Sequence, residues 1–334
     1  MPGINALRRI QIGQMAAFGG SDVPDTYWRG TGMLDDTREV TFPDEHLGIV
    51  GGVNHSYTAR TGGEVTLEGN ASFEQLGYVF DSGIHAETPT PDSGSGHIYQ
   101  WTMQNVSTDP ITESDLKYLV IETGDNQQAE RMRDGFVREF SITGSAGEAL
   151  SVSAMVQGRE VAPVTFTGGL SIPTIESILF SKGSLFIDAS SGTPGTTQKS
   201  NTLLNMNLNV TSGWQAIESA SGRLDLSGVK FVGSAGTLEV TFEHDGTATA
   251  EIANWRSEAE RVIRLEFPGT DLASAGAYTT KLFRVDLYGK WENFEPIGEQ
   301  DGNDIVTGTF RIGYSSVAAA RGEFTIVNEL SALP

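Results

Sequence analysis

The residue types that most often carry out chemistry are sparse in this sequence. It has five histidines and no cysteine among its 334 residues. The histidines are His46, His55, His85, His97 and His244. No two of them stand at the spacing that places two ligands on one face of a helix, and the thiolates of the common zinc sites are missing. The sequence therefore predicts no metal site.

Two short acidic segments resemble ion-binding loops only in part. Asp44, Glu45 and His46 follow a proline, and a solvated loop is the simpler interpretation. The segment Asp301–Asp304 suggests calcium, but the spaced acids and the final glutamate of an EF-hand loop are absent. We expect a tight turn at that position.

A third segment, Gly192–Ser200, loosely resembles a phosphate-binding loop. Three residues separate Gly195 from Lys199, so the required Gly-Lys-Ser sequence is absent, and Pro194 removes a backbone amide. The Gly-x-Ser-x-Gly motif of a nucleophile elbow does not occur in the chain. We therefore predict a protein that is not an enzyme and has no catalytic residue, cofactor site or metal site.

The charge of the chain argues against nucleic-acid binding. It has 22 basic and 43 acidic residues and a net charge of −21. Proteins that grip DNA use Lys and Arg to displace counterions from phosphate, so this chain should repel DNA at close range. The simpler interpretation of the charge is solubility, and both interpretations stay open.

Targeting signals are also missing from the sequence. The first residues lack the apolar core of a signal peptide, and no run approaches the roughly 20 apolar residues of a membrane span. The absence of cysteine fits a reducing compartment. We expect folding in a cytoplasm, without export or membrane insertion.

One carboxylate pattern occurs twice. In a strand, Glu64 and Glu68 project from one face together with the threonine between them, while Val65 and Leu67 project from the other. The segment Glu239–Glu243 repeats this pattern. An ordinary solvated sheet face is one interpretation, and a surface that must not adhere to what it faces is the other.

This pattern belongs to an internal repeat with an offset of about 175 residues. Glu64–Glu68 matches Glu239–Glu243, and Gly147–Ser153 matches Gly322–Asn328 at the same offset. A third match, between the segments beginning at Phe140 and Phe310, has an offset of 170, which a difference in loop length would explain.

Each half of the repeat has one helical segment. Ser72 and Gln75 form a capping-box pattern ahead of apolar residues at helical spacing, which predicts a helix near 72–82. At the repeat offset, Thr247 stands in place of Ser72, which predicts a second helix near 247–258.

Most other segments alternate between polar and apolar residues. The clearest runs are Tyr99–Met103, Asn205–Val210, Arg264–Phe267 and Phe283–Leu287. We predict a mostly β protein with two tandem β-sandwich or half-barrel domains, 1–165 and 166–334, each with one flanking α-helix. Units of about 150–170 residues are large enough for each to hold its own core.

Several structural motifs carry a family resemblance that spans nearly the whole chain. They are Leu7–Gln14, Arg29–Gly32, Phe42–Gly48, Phe73–Gly77 and the run from Gly135 through Ser153. Together they resemble the major tail tube proteins of long-tailed bacteriophages, the siphophages. The second half keeps the same order of elements.

The resemblance implies a specific function. Tail tube domains are β-sandwiches with a flanking helix, and six of them form a ring whose inner sheets join into a β-barrel around an acidic channel. Rings stack around a tape measure protein between tail tip and tail terminator proteins, and the channel later passes double-stranded DNA. Two fused domains imply trimeric rings that mimic hexamers, with hexameric rings as the alternative. The protein would belong to the virion after assembly in the host cytoplasm.

On this resemblance, four residues are candidates to line the channel. They are Glu64, Glu68, Glu239 and Glu243. A rival hypothesis is a carbohydrate-binding β-sandwich, such as an adhesin or a tail-tip or fibre protein. Its sugar-stacking candidates are Trp101, Trp214, Trp255 and Trp291, although a buried core is the commoner location of such residues.

Overall fold

Antiparallel strands dominate the computed structural model, as the alternation of polar and apolar residues favours. The structure describes residues 2–48, 55–104 and 113–333. The strands up to residue 165, which we call the first half, are β1 (Arg9–Gln14), β2 (Thr26–Tyr27), β3 (Gly30–Thr31), β4 (Asp35–Asp36), β5 (Glu39–Thr41), β6 (Tyr57–Arg60), β7 (Gly63–Asn70), β8 (Thr90–Pro91), β9 (His97–Gln104), β10 (Leu119–Gly124), β11 (Ala129–Ser145), β12 (Ser151–Gly158) and β13 (Val161–Val164).

The second half continues in the same way. Its strands are β14 (Ser184–Ala189), β15 (Gln198–Lys199), β16 (Leu203–Thr211), β17 (Trp214–Ile217), β18 (Gly228–Phe231), β19 (Ala235–Glu243), β20 (Glu260–Asp271), β21 (Thr280–Phe294), β22 (Gly298–Gln300), β23 (Asn303–Ile312) and β24 (Ala320–Asn328). All four runs with the clearest alternation lie inside strands, namely β9, β16, β20 and β21, so those strand predictions are confirmed.

The helices are α1 (Leu76–Gly83) and α2 (Gly246–Arg256), and short 3-10 turns lie at Asn5–Leu7, Glu113–Asp115 and Phe180–Lys182. Neither α-helix of the described chain is both long and apolar enough to cross a membrane.

The first helix begins later than its capping pattern predicts. The Ser72 hydroxyl accepts a hydrogen bond from the Gln75 amide at 3.2 Å, as a capping box requires. The Gln75 side chain does not reach back, however, because it donates to the Tyr27 carbonyl and accepts from the Arg29 amide. Since this side chain is used to hold the neighbouring segment, only half of the capping box forms.

The second helix is capped by a residue that the repeat did not indicate. Asp245 accepts hydrogen bonds from the amides of Thr247 and Ala248 at 2.8 and 3.0 Å. A carboxylate at this position also interacts favourably with the positive end of the helix dipole. Thr247 therefore lies inside the helix rather than at its N-cap.

One antiparallel sheet runs through both halves of the chain. Its strand order is β7–β12–β11–β16–β19–β23–β21, and we call it the central sheet. The short strands β3 and β4 pair with the outer edge of β7. The pairing of β11 with β16 joins the two halves.

The order of strand pairing in the first half recurs in the second. The long strand β11 pairs first with β10 and β13 and then with β12, while β21 pairs first with β20 and β24 and then with β23. Each long strand also has a β-bulge at the same place in its pairing, at Arg138 and at Glu292. We call residues that occupy the same place in the two patterns counterparts.

A constant offset of 175 describes only part of this recurrence. The strands that contain Glu64–Glu68 and Glu239–Glu243 do occupy the same place, beside β12 and β23. The segment Gly147–Ser153 leads into β12, however, whereas Gly322–Asn328 lies in β24, which pairs with β21 and β9. Phe140 and Phe310 likewise lie in β11 and β23, which are not counterparts. Connecting segments of different length in the two halves change the offset along the chain.

The buried core does not divide between the halves. A single cluster of buried apolar side chains extends from Ile10 to Ile326. The ring of Phe80 in α1 lies 5.5 Å from Phe140 of the first half, and 4.9 and 6.2 Å from Phe324 and Phe283 of the second half. The two halves therefore share this core, although the length of each would allow it to hold its own. Strand β9 of the first half also pairs along its length with β24 of the second.

Candidate functional site

The central sheet has one buried face and one polar face. Side chains directly opposite one another on successive strands project from the same face. One such row comprises Glu68, Ser153, Ser141, Asn209 and Thr237. This row crosses the contact between β11 and β16, so the polar face continues from one half of the chain into the other.

The polar face consists almost entirely of Ser, Thr, Asn, Gln and Glu. Its members, all at least partly exposed, are Glu64, Thr66, Glu68, Glu139, Ser141, Thr143, Ser145, Ser151, Ser153, Met155, Gln157, Asn205, Asn207, Asn209, Thr211, Thr237, Glu239, Thr241, Glu243, Ile305, Thr307, Thr309 and Arg311. Five of these residues are glutamates and one is an arginine, and Lys290 of β21 lies opposite that arginine. Five carboxylates thus outnumber two basic groups, so the face carries net negative charge.

The opposite face of the same strands supplies much of the core. Val65 and Leu67 are buried beneath β7, and Val240 and Phe242 are buried beneath β19. This is the arrangement that the alternation of Glu, Val, Thr and Leu or Phe predicts. The burial fixes which way the strands face, because a slip of one residue would turn the glutamates into the core.

The four glutamates that the sequence singled out all lie on the polar face. Glu64 is half-buried, and Glu68, Glu239 and Glu243 are exposed. Strands β12, β11 and β16 lie between the two pairs, which places β7 and β19 roughly 19 Å apart at the usual strand spacing.

The two glutamate pairs are not at the same level along their strands. Ser153 lies opposite Glu68, and its counterpart Thr307 lies opposite Thr241. Glu68 and Thr241 are therefore counterparts, which is a shift of two residues from the sequence match. Since the side-chain period of a strand is two, the shift keeps every glutamate on the polar face.

The polar face is grooved where the two halves meet. A groove of about 790 Å³ lies over β11, β16 and β19 and is lined by Ser141, Asn209, Thr237 and Arg311, among others. Its lining combines small neutral polar residues with apolar and charged ones, which include Phe140, Met155, Val210, Ile312, Glu139, Glu292 and Arg321. The polar groups of this lining offer hydrogen bonds to water.

Sequence reasoning missed the neutral part of this face and one glutamate. The strict alternation of Asn205–Val210 could have placed its asparagines there, because Met206, Leu208 and Val210 are buried. Glu139 follows the bulge at Arg138, and a bulge breaks the alternation that would have revealed its side.

The histidines do not assemble a metal site in the part of the chain that the structure describes. No group of three potential His, Asp or Glu ligands occurs there. His55 lies 3.6 Å from Glu45, and the Nε2 atom of His85 accepts a hydrogen bond from the Thr102 amide. The segment Asp301–Asp304 contains the tight turn between β22 and β23, with positive φ at Asp301 and Gly302.

The phosphate-loop-like segment is already occupied by a side chain of the protein. The Asp188 carboxylate accepts hydrogen bonds from the amides of Gly195, Thr196 and Thr197 at 3.0, 3.1 and 2.9 Å. Partial burial acts to raise the pKa of Asp188, but the bonds from these residues outweigh it and lower the pKa below its usual value. The amides that a phosphate would need are therefore engaged by this carboxylate.

The tryptophans proposed as sugar-stacking residues lie largely in the core. Trp101, Trp214 and Trp291 are buried, and Trp255 is half-buried against the core cluster. The indole nitrogen of Trp101 donates to Asp81 at 2.7 Å, and that of Trp291 donates to Glu251 at 2.9 Å. Trp101, Trp214 and Trp291 therefore have no open face for a sugar, and Trp255 is only partly exposed.

Comparison with known proteins gives no independent indication of function. Neither a scan of protein-family models nor a search of curated proteins finds a match for the chain. Two features of the central sheet in the described chain therefore bear on function, namely its polar face and its unpaired outer edges.

Proposed function

We propose that this protein is the major tail tube subunit of a long-tailed bacteriophage, a structural protein whose rings stack into a hollow tube. One observation carries the proposal most directly. The central sheet presents a largely polar, net acidic face that continues through both halves of the chain. In the tube this face lines the channel.

The open ends of the central sheet also support a ring. A sheet edge exposes unpaired backbone amides and carbonyls, and closing the sheet around a ring removes such edges. Stacking rings head to tail is a heterologous contact without closing symmetry, so it produces a filament. The pairing pattern that occurs twice in the chain suits three copies that imitate six, with six copies as the alternative.

The chemistry of the face suits a channel for double-stranded DNA. Phosphate binding requires Lys and Arg, and each such contact would slow the movement of DNA. The glutamates repel phosphate, while Ser, Thr and Asn keep the wall hydrated. Glu64, Glu68, Glu239 and Glu243 supply much of this negative charge.

The proposed partners follow from this function. The subunit binds other copies of itself, a tape measure protein inside the tube, and tail tip and tail terminator proteins at its ends. It assembles in the host cytoplasm and becomes part of the virion. The function needs no cofactor and no catalytic residue.

The carbohydrate-binding alternative has weaker support. A sugar platform requires an exposed aromatic face, and the tryptophans that could have provided one are engaged in the core. A glycan-binding screen of the purified protein distinguishes the two functions, because a tube subunit would bind no glycan.

Electron microscopy of the purified protein tests the proposal. We expect stacked rings or tubes, and mass photometry of a solubilised ring should give three copies. Six copies would contradict the trimeric arrangement but not the tube. A protein that stays monomeric at all concentrations would overturn the proposal.

Charge reversal tests the assignment of the channel face. Tubes of Glu68→Lys/Glu239→Lys should retain short fluorescent duplex DNA in a salt-dependent manner, and virions carrying this variant should eject DNA more slowly. The matched control is Glu160→Lys/Asp271→Lys, which reverses two exposed carboxylates outside the central sheet. Equal DNA retention by both variants would show that the polar face does not line the channel.

A further inference from the structure

The central sheet ends at β21 in a segment with one free edge. Phe294 and Glu295 pair with β23 on one side, and the Glu295 amide donates to the Thr307 carbonyl at 2.8 Å. In the described chain, β20 pairs with β21 only up to Lys290, and no strand pairs with the other side of Asn293 and Phe294. This edge is available to another strand.

The counterpart of this edge in the first half is occupied. Residues Glu139 through Ser145 of β11 pair with Thr211 through Asn205 of β16, and Ser141 lies opposite Asn209. Glu295 is the counterpart of Ser141, because the two residues follow the shared bulge at the same distance. The chain thus contains one complete example of the contact that the free edge lacks.

The counterpart of β16 lies at the other end of the central sheet. Asn209 lies opposite Thr237 in β19, and Asp35 of β4 lies opposite Glu64, the counterpart of Thr237. Asp35 is therefore the counterpart of Asn209. In the described chain, β3 and β4 pair only with β7, so their outer edge has no strand partner.

A hairpin follows each of these edge strands. Strand β16 leads into the β17–β18 hairpin, which crosses to the first half. There Trp214 and Val229 pack in a buried cluster with Met15, Val120 and Phe136. This packing reinforces the contact between β11 and β16.

The counterpart hairpin, β5–β6, has no such cover. We call its described residues 39–48 and 55–60 the arm. Val40, Phe42 and Tyr57 of the arm are 45%, 65% and 52% exposed, and none of them belongs to a buried cluster. Val40 and Phe42 project from one face of the hairpin, and Tyr57, which lies opposite Thr41, projects from the other. Large apolar side chains left exposed on both faces of a hairpin indicate a surface that another molecule covers.

In the first half, the β17–β18 hairpin covers a surface beside β11. The matching surface beside β21 in the second half is open. Lys290, Ser190 and Glu260 are the counterparts of Phe136, Met15 and Tyr118. They line a cavity of about 260 Å³ together with Tyr314. A surface exposed in the free subunit tolerates charged residues better than apolar ones, which explains why this surface is more polar than its counterpart.

We propose that the second half of one copy binds the first half of the next by repeating the internal contact between β11 and β16. This inference rests on the proposed ring and specifies its interface. The free edge of β21 pairs antiparallel with β3 and β4 of the next copy, with Glu295 opposite Asp35. The arm of that copy lies over the cavity beside Lys290 and Tyr314.

The residues at the contact between copies make it weaker than the internal contact between β11 and β16. Two carboxylates face each other where the chain itself places Ser141 opposite Asn209, and like charges directly opposite are destabilising. Pro296 also lacks the amide of its counterpart Ile142, as is common in edge strands. These features keep the free subunit from pairing indiscriminately before assembly.

Disulfide trapping tests the register, since the natural chain has no cysteine. Directly opposed residues in a non-hydrogen-bonded pair have Cα atoms about 4.5 Å apart, within the range for a disulfide. Asp35→Cys/Glu295→Cys should give a covalent ladder under oxidation that ends at the closed ring. Ser141→Cys/Asn209→Cys should form the same bond within one chain and remain a monomer in mass. Asp35→Cys/Glu299→Cys displaces one partner by four residues, about 13 Å, and should not cross-link.

The outcomes separate this interface from the proposed function. Wild-type rings without cross-linking of the Asp35/Glu295 variant would overturn the interface and leave the tube intact. A covalent ladder without rings or tubes would support the interface and overturn the tube. Neither rings nor cross-links would overturn both.

The arm has a test of its own. Phe42→Asp should abolish ring formation at concentrations at which the wild type assembles, without changing the folding of the monomer. The matched control is Ile172→Asp, because Ile172 is 67% exposed and lies outside the arm and the cavity. Normal assembly of the Phe42 variant would overturn the docking of the arm.

Discussion

Lys281 and Glu74 are 207 positions apart in the chain, yet their Nζ and Oε1 atoms lie 2.7 Å apart. Glu74 precedes α1 in the first half, and Lys281 is the second residue of β21 in the second. Glu176, from the segment that connects the halves, lies 3.2 Å from the same ammonium group. Burial acts to lower the pKa of Lys281, but these two carboxylates outweigh it and raise the pKa.

Removing this lysine should destabilise the fold substantially. Lys281→Met leaves Glu74 buried without its counter-charge, and breaking a buried ion pair in this way costs about 3–5 kcal/mol. Urea unfolding followed by circular dichroism measures the loss. Lys290→Met is the control, because its 3.8 Å pair with Glu260 is exposed and should contribute under about 1 kcal/mol. Similar losses in both variants would contradict the role given to Lys281.

The shared core makes a second prediction about cooperativity. Phe80 packs against rings of both halves, so Phe80→Ala should cost about 3–5 kcal/mol by creating a cavity. Unfolding should remain a single transition in calorimetry, with equal calorimetric and van't Hoff enthalpies. Phe42→Ala, at a site 65% exposed, should change the stability by under about 0.5 kcal/mol.

Two separate transitions would argue against a shared core. In that case Phe80→Ala would lower the melting temperature of one transition and leave the other unchanged. The pairing of β9 with β24 makes such independence unexpected, because it attaches a first-half strand to a second-half sheet.

The buried Asp81 carboxylate should make stability depend on pH. Burial is the main cause that raises the pKa of Asp81 to about 6, against hydrogen bonds from Trp101, Gln14 and Glu87 that lower it. The folded state thus holds this proton up to a higher pH than the unfolded chain, whose ordinary value is 3.8. The contribution of Asp81 to the free energy of unfolding should fall as pH rises from about 4 to 6, by up to about 3 kcal/mol, and stay constant above that.

Asp81→Asn isolates this effect from the other carboxylates. The amide oxygen can still accept from Trp101, while Gln14 must turn its own amide to face the new NH₂ group. The difference in unfolding free energy between wild type and variant should vary between pH 4 and 6 and level off above pH 6. A difference independent of pH would show that Asp81 is ionised throughout.

Local patterns in the sequence indicated both helices and several strands but not their arrangement. The alternation of Asn205–Val210 predicts β16, yet nothing in it indicates that β16 joins β11 of the other half. Pairing partners depend on contacts far apart in sequence, whereas strand and helix patterns are local. The sequence did not predict Asp245 as the N-cap of α2, because the repeat offset aligns Thr247, two residues later, with Ser72.

Only part of the polar face could be predicted from the sequence, because the pairing of its strands depends on residues far apart in the chain. The alternation around Glu64 and Glu239 indicates the side of each strand that faces out, and burial of Val65 and Val240 agrees with it. That these two strands belong to one sheet follows only from the strands between them. Bulges and connections of unequal length also hide the true counterparts, as with Glu68 and Thr241.

Removing the charge at the open edge should favour assembly. Glu295→Ser restores the residue type of its counterpart Ser141 and ends the repulsion with Asp35 of the next copy. Relief of one like-charge pair is worth about 0.2–1 kcal/mol, so the critical concentration for rings, measured by light scattering, should fall by roughly up to fivefold. Glu299→Ser removes the same charge four residues away and should have a smaller effect. If both variants lower the critical concentration equally, the effect comes from net charge, and the register with Glu295 opposite Asp35 is wrong.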